Sequence, residues 1–253
     1  MGTLSGRTAI VVGASAGGGY GISLRFAEEG ANVVAAARRV ERLERLVEDA
    51  KGRGFEGRIV PIGCDVDSEA DLDAVVQRAV DEFGGVDILV CVAQGGGTRY
   101  SDVSETSRDV AIGQFVGGPG YTMHLMQKVL PHMRAKHYGR IITCTSAGGL
   151  GGAPGINAYS MAKAAIVALT KNAAVAWGQY GITVNSFMPI NSNDSEDSRI
   201  MADPPQEFLD SIPVRFLGDP YEHLSPMIAF LASEPAGYVT GQVIGIDGGL
   251  SAA

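Results

Sequence analysis

Apolar residues fall in short unbroken runs along this chain, rather than in alternation with polar ones. Seven such runs, at 9–12, 32–37, 58–62, 86–91, 140–144, 182–188 and 242–246, are rich in Val, Ile and Ala. Continuous runs of this length predict strands buried on both faces, as in parallel sheets covered by helices. Between them the apolar period lengthens to three or four. Leu43, Leu46 and Val47 share a face over 40–51, and Leu72, Val75, Val76, Ala79 and Val80 do so over 68–83. Residues 22–29 and 158–177 also read as helical. Strand followed by helix, repeated throughout, predicts one α/β domain over 1–253: a doubly wound, seven-stranded parallel sheet with helices on both faces.

The periodicity lapses once. Over 191–213, Asn, Ser, Asp, Glu and three prolines replace it. This stretch follows the sixth predicted strand, on the edge of the sheet where open α/β folds bind ligands. It reads as a mobile substrate lid, with a plain surface loop as the alternative.

Composition narrows the classes of function. Hydrophobic residues make up 45% and charged residues 19%, which suits a packed interior rather than a disordered chain. The net charge of −8 repels phosphate backbones and anionic membranes, so neither nucleic acid nor a membrane is expected as a partner. No basic segment followed by a long apolar stretch opens the sequence, and no apolar run reaches the roughly 18 residues of a membrane span. A cytoplasmic protein is expected. Cys64, Cys91 and Cys144 each close or follow an apolar run and read as free core thiols. His124, His132, His137 and His223 have no metal-site spacing with carboxylates or cysteines, so no metal is expected.

The first predicted strand ends in Gly13-Ala-Ser15-Ala-Gly17-Gly-Gly19, immediately before a helix. Glycines there let the backbone turn tightly and approach a pyrophosphate, whose charge then rests on free amides at the helix start. In a strand–turn–helix context this predicts a dinucleotide site of Rossmann type, with Gly13, Ser15, Gly17 and Gly19 in contact. The end of the second strand decides between the two nicotinamide dinucleotides. An acidic residue there would bind the ribose hydroxyls and repel a 2′-phosphate, but the chain has Ala37, Arg38 and Arg39. Guanidinium groups suit a phosphate, so NADP(H) is expected, although the arginines could instead serve the acidic face of the next helix.

Tyr159-Ser-Met-Ala-Lys163 lies at the start of the helix over 158–177, which puts the phenol and the ammonium on one face about a turn apart. A free phenol titrates near 10, and an adjacent cation favours the phenolate, as proton transfer near neutrality requires. Just past the fifth strand stand Thr145 and Ser146, and Ser146 precedes Tyr159 by thirteen positions. A hydroxyl here can orient a substrate oxygen beside the phenol.

The glycine spacing, the Ser146-to-Tyr159 interval and Tyr-x-x-x-Lys, in this order, resemble the classical short-chain dehydrogenase/reductase family. The likeness runs from Arg7 to Ser251 and includes the closing stretch 238–249. The resemblance implies an oxidoreductase that moves a hydride between NADP(H) and a secondary alcohol or ketone. It implies Tyr159 as general acid/base, Ser146 rather than Thr145 orienting the carbonyl, and Lys163 holding the nicotinamide ribose. It further implies adenine contacts at Asp65 and Val66, cofactor contacts at Ala93, Pro189 and Ile190, and a homotetramer.

Four departures stand out. Val12 replaces the threonine that usually opens the glycine turn. The usual Asn-Asn-Ala-Gly after the fourth strand is Cys91-Val92-Ala93-Gln94. Counting back from Leu130-Pro131-His132-Met133, the family's catalytic asparagine falls at Gly118, within Gly117-Gly-Pro-Gly120, where a water, Gln114 or nothing takes its place. After the sixth strand, Pro189-Ile190 replaces Pro-Gly, and Asp194 replaces a threonine. A weakly active or regulatory cofactor-binding homologue, and an NAD-dependent catabolic alcohol dehydrogenase, are the competing readings.

Overall fold

The computed structural model describes residues 2–97, 100–192 and 203–252. The seven apolar runs form one sheet of seven parallel strands: β1 (Thr8–Val12), β2 (Asn32–Ala37), β3 (Ile59–Gly63), β4 (Ile88–Cys91), β5 (Gly139–Cys144), β6 (Ile182–Pro189) and β7 (Val243–Ile246). Their order is β3-β2-β1-β4-β5-β6-β7, and every adjacent pair is parallel. The winding reverses between β1 and β4, which opens a crevice at the strand C-termini.

Alternate residues of each strand supply two cores. Ala9 and Val11 face a cluster built with helices α1 (Gly17–Glu28) and α2 (Val40–Gly52) and with Ile228 and Leu231. Ile10 and Val12 face the opposite cluster, with α3 (Glu69–Phe83) and with Leu125, Met126 and Ala173 from later helices. Burial on both faces is why the strands are apolar without alternation. Local signals set the helix ends: Ser68 Oγ accepts from the Asp71 N–H to start α3, and Gly84, at φ 80°, ends it in a left-handed cap. The strand read from residue 86 begins at Ile88. Asp87 is diverted before it, its carboxylate accepting from Thr8 N–H at 2.9 Å and pairing with Lys136 at 2.7 Å.

The long helix after β4 is interrupted. It comprises α4 (Arg108–Phe115), a π-helical turn (Val116–Gly120) and α5 (Tyr121–Lys136). Pro119 has no N–H and crowds the preceding carbonyls, and the turn widens so that the Tyr121 N–H reaches the Val116 carbonyl. After β5 come a short α6 (Ala147–Gly151) and the long α7 (Asn157–Trp177). The last helices are α8 (Gln206–Ser211) and α9 (Ser225–Ala232). Of the expected lid over 191–213, residues 193–202, and with them Asp194, lie outside the described residues. Part of the remainder is the helix α8, too short for its period to show in the sequence. Among the described residues no helix is long and apolar enough to cross a membrane.

Candidate active site

The turn after β1 has no room for a side chain at Gly13 or Gly19. Gly13 sits at φ +95°, and a Cβ there would lie 2.7 Å from the Ala93 nitrogen. At Gly19 a Cβ would lie 2.2 Å from the Gly13 carbonyl oxygen. The helix that follows has Ala16 at its N-cap, with no side-chain cap for the first-turn amides. Bare amides beside Gly13 and Gly19 suit a pyrophosphate, so the residues present fit a dinucleotide.

From the end of β2, Arg39 reaches back to this turn, and its Nη2 donates to Ser15 Oγ at 3.1 Å. Arg38 beside it is exposed. Ser15 and Gly17 open on a cleft of about 570 Å³ that Arg42, Arg45 and Arg53 also line. After β3, Asp65 is exposed, its Oδ1 accepting from the Asp67 N–H at 3.1 Å, while Val66 is buried. After β4, Ala93 offers its carbonyl to the Tyr121 hydroxyl at 2.9 Å. At the end of β6, Pro189 pairs with Ile246, and the Ile190 N–H donates to the Ile246 carbonyl at 3.1 Å. Ile190 borders a second cleft of about 580 Å³ with Phe216 and Asp247. Ser146, Tyr159 and Lys163 line neither cleft.

The two hydroxyls that follow β5 have different employment. Thr145 is buried, and its Oγ1 donates to the Lys163 carbonyl at 2.9 Å. Ser146 is half-buried, its Oγ accepts from the Gly148 N–H at 3.3 Å, and its own hydrogen has no acceptor among the described residues. Tyr159 is half-buried on α7. Lys163, one turn on, is only 2% exposed, and α6 packs so closely over it that a Cβ at Gly149 would fall 2.9 Å from Lys163 Cβ. The ammonium donates to the Cys144 carbonyl at 2.9 Å and lies 5.5 Å from the centre of the Tyr159 ring.

Burial keeps the neighbouring groups neutral. It pushes the Cys91 thiol up to about 12, although Lys163 favours the thiolate, and it raises Cys144 as well. The Tyr121 phenol, buried under β4, is driven well above its ordinary value and cannot trade protons near neutrality. Three features of this region escape the sequence reading: the Tyr121–Ala93 bond, the π-turn, and the place of Gln94. Its side chain lies against Gln114 and covers Gly118. Pro119 inside a helical stretch was the one available signal.

A family model described as Enoyl-(Acyl carrier protein) reductase matches residues 13–251. The chain belongs to the short-chain dehydrogenase/reductase family. Among its relatives, Oxidoreductase UcpA of Salmonella typhimurium is 38% identical over 261 residues, which cover 98% of this chain and 96% of that protein. The 3-oxoacyl-[acyl-carrier-protein] reductase FabG of Thermotoga maritima is 33% identical and covers 98% of both chains. Subunit BbsD of the (2S)-[(R)-hydroxy(phenyl)methyl]succinyl-CoA dehydrogenase of Thauera aromatica is 34% identical, with 98% of each chain covered. A candidate short-chain alcohol dehydrogenase from Sinorhizobium meliloti 1021 superimposes with a TM-score of 0.89 at 28% identity, over 99% of this chain and 98% of that one. YwfH, an NADPH-dependent reductase, shares the fold at a TM-score of 0.89 and 24% identity, over 96% of this chain and 98% of its own. This short-chain dehydrogenase/reductase is therefore an oxidoreductase of alcohol and keto groups, from a family that uses nicotinamide cofactors.

Proposed function

We propose that this short-chain dehydrogenase/reductase is an NADP(H)-dependent ketoreductase in which Tyr159 carries the proton. One observation bears most of the weight: a buried ammonium, Lys163, stands one helical turn from a half-buried phenol, Tyr159, and donates to the Cys144 carbonyl, two residues before Ser146. When bound, the reduced nicotinamide supplies the hydride to the carbonyl carbon. Ser146 donates to the carbonyl oxygen and fixes its position. Tyr159 delivers its proton to the same oxygen, and the Lys163 charge stabilises the phenolate left behind. The names of the relatives, a 3-oxoacyl-[acyl-carrier-protein] reductase and a (2S)-[(R)-hydroxy(phenyl)methyl]succinyl-CoA dehydrogenase subunit, support chemistry at an alcohol or ketone.

Preference for NADP(H) is supported by the absence of a carboxylate at the end of β2 and by Arg39, whose guanidinium already reaches Ser15 of the phosphate turn. Gly13, Gly17 and Gly19 would hold the pyrophosphate, with Asp65 and Val66 beside the adenine and Ala93, Pro189 and Ile190 toward the nicotinamide. A homotetramer belongs to the same reading, supported by the exposed apolar side chains Ile112, Phe115, Val116 and Met123 along α4, the π-turn and α5. The purified protein is to be assayed with NADPH and with NADH against a panel of cyclic, aromatic and β-keto substrates. Turnover with NADPH at the higher kcat/KM supports the reading. Tight NADPH binding without turnover of any ketone points instead to a regulatory homologue, and a higher kcat/KM with NADH to a catabolic dehydrogenase.

A further inference from the structure

The π-turn between α4 and α5 packs against α7, the helix that carries Tyr159 and Lys163. A donor from outside the helix reaches Gln114, just before the turn. The i→i+5 bond of the turn runs from the Tyr121 N–H to the Val116 carbonyl, and Pro119 inside the turn has no N–H to give. Gln94 is that outside donor: its Nε2 donates to the Gln114 carbonyl at 3.1 Å and to Gln114 Oε1 at 3.0 Å. Gln114, itself buried, passes the tie on through its Nε2 to the Gly97 carbonyl at 2.7 Å. The two acceptors facing Nε2 fix which end of the carboxamide points where.

The same carboxamide occupies the space beside Gly118. A Cβ on Gly118 would lie 2.9 Å from Gln94 Nε2 and 3.0 Å from its Oε1. A side chain at 118 and this placement of Gln94 are thus mutually exclusive. Gln94 Oε1 is buried and has no hydrogen-bond partner among the described residues. Next to it, the backbone is stapled by the Gly95 N–H donating to the Gly117 carbonyl at 2.6 Å.

We propose that Gln94 is a positioning residue: its carboxamide holds Gln114 just before the turn and fills the space of the side chain that Gly118 lacks, and so fixes the π-turn against the Tyr159–Lys163 helix. The inference rests on the ketoreductase reading for its effect on turnover, and on geometry alone for its effect on the turn. Gln94→Met keeps the length and removes the hydrogen bonds. It is expected to lower kcat by about ten- to a hundredfold, the scale of an ångström-sized misplacement of reacting groups, while KM for NADPH stays within about twofold. Gln94→Glu, which puts negative charge against two oxygens, should do the same.

Gly118→Asn alone should be damaging because its side chain needs the space of Gln94, and Gln94→Gly added to it should restore turnover. Hydrogen exchange of the amides at 116–121 supplies a readout independent of any substrate: faster exchange in Gln94→Met is expected. Wild-type kcat in Gln94→Met, no recovery in the double variant, or unchanged exchange at 116–121 would each overturn the proposal. Absence of ketone turnover in the wild-type protein would defeat the ketoreductase reading instead, and the exchange measurement then decides the role of Gln94 by itself.

Discussion

Lys163 anchors its ammonium on the Cys144 carbonyl, at 2.9 Å, two residues before Ser146. The charge thus serves the strand end and the Tyr159 helix at once, from a position only 2% exposed and roofed by Gly149. A compact ammonium fits this arrangement, whereas the broad planar fork of a guanidinium does not. Lys163→Arg, although it keeps the charge, is expected to lose about as much kcat as Lys163→Ala. Steady-state kinetics decide the matter, and near-normal turnover in the arginine variant would show that charge alone suffices.

Cofactor choice is predicted to lie with the two arginines after β2. Removing a charge-assisted hydrogen bond of ~1.5–3 kcal/mol should weaken NADPH at least about tenfold in Arg38→Asp and leave NADH unchanged or improved. Arg39→Ala should act in the same direction, since Arg39 already engages Ser15. The ratio of kcat/KM for the two cofactors is the measurement. An unaltered ratio in both variants contradicts the assignment.

Gly19→Ala would place a methyl 2.2 Å from the Gly13 carbonyl oxygen, so the phosphate turn must open to admit it. Overpacking of this kind costs about 1–3 kcal/mol. A lower thermal midpoint and loss of calorimetric NADPH binding are expected together. Retention of wild-type affinity would mean that the turn is not the phosphate cradle.

The thiols give a prediction in pH. Burial, reinforced by Asp71 and Asp65, raises Cys64 from 9.0 to about 12, and burial likewise raises Cys91 to about 12. The folded chain therefore keeps these protons longer than the unfolded chain. Below pH 9 they do not affect stability, and stability falls as pH rises from 9 toward about 12. At pH 8 the native protein should resist a thiol-specific reagent and react at Cys64, Cys91 and Cys144 only when denatured. Rapid labelling of Cys91 in the native state would contradict its burial.

The sheet was legible because strands buried on both faces leave uninterrupted apolar runs, and the glycine turn because only glycine tolerates its backbone. The strand at 86–91 began two residues late, since Asp87 is recruited by Thr8 and Lys136, a tertiary effect with no local signal. Gly117–Gly120 read as the loss of a family asparagine, and the structure adds a π-turn there, with Gln94 donating to the Gln114 carbonyl beside it. That bond pairs residues 20 apart in sequence, which periodicity cannot register. Thr145 and Ser146 are equivalent hydroxyls as letters. Only the bond from Thr145 to the Lys163 carbonyl shows that the first is committed to packing. The helix α8 hid inside a polar, proline-rich stretch because its six residues span too few turns.

The central claim is that the Tyr159 hydroxyl transfers the proton, and Tyr159→Phe tests it most directly, because it deletes one oxygen from a half-buried ring. NADPH-dependent ketone reduction is to be measured in this variant beside NADPH affinity. A fall in kcat of at least about a hundredfold with affinity preserved is predicted, the lower range for a general acid. Wild-type turnover in the phenylalanine variant would contradict the account.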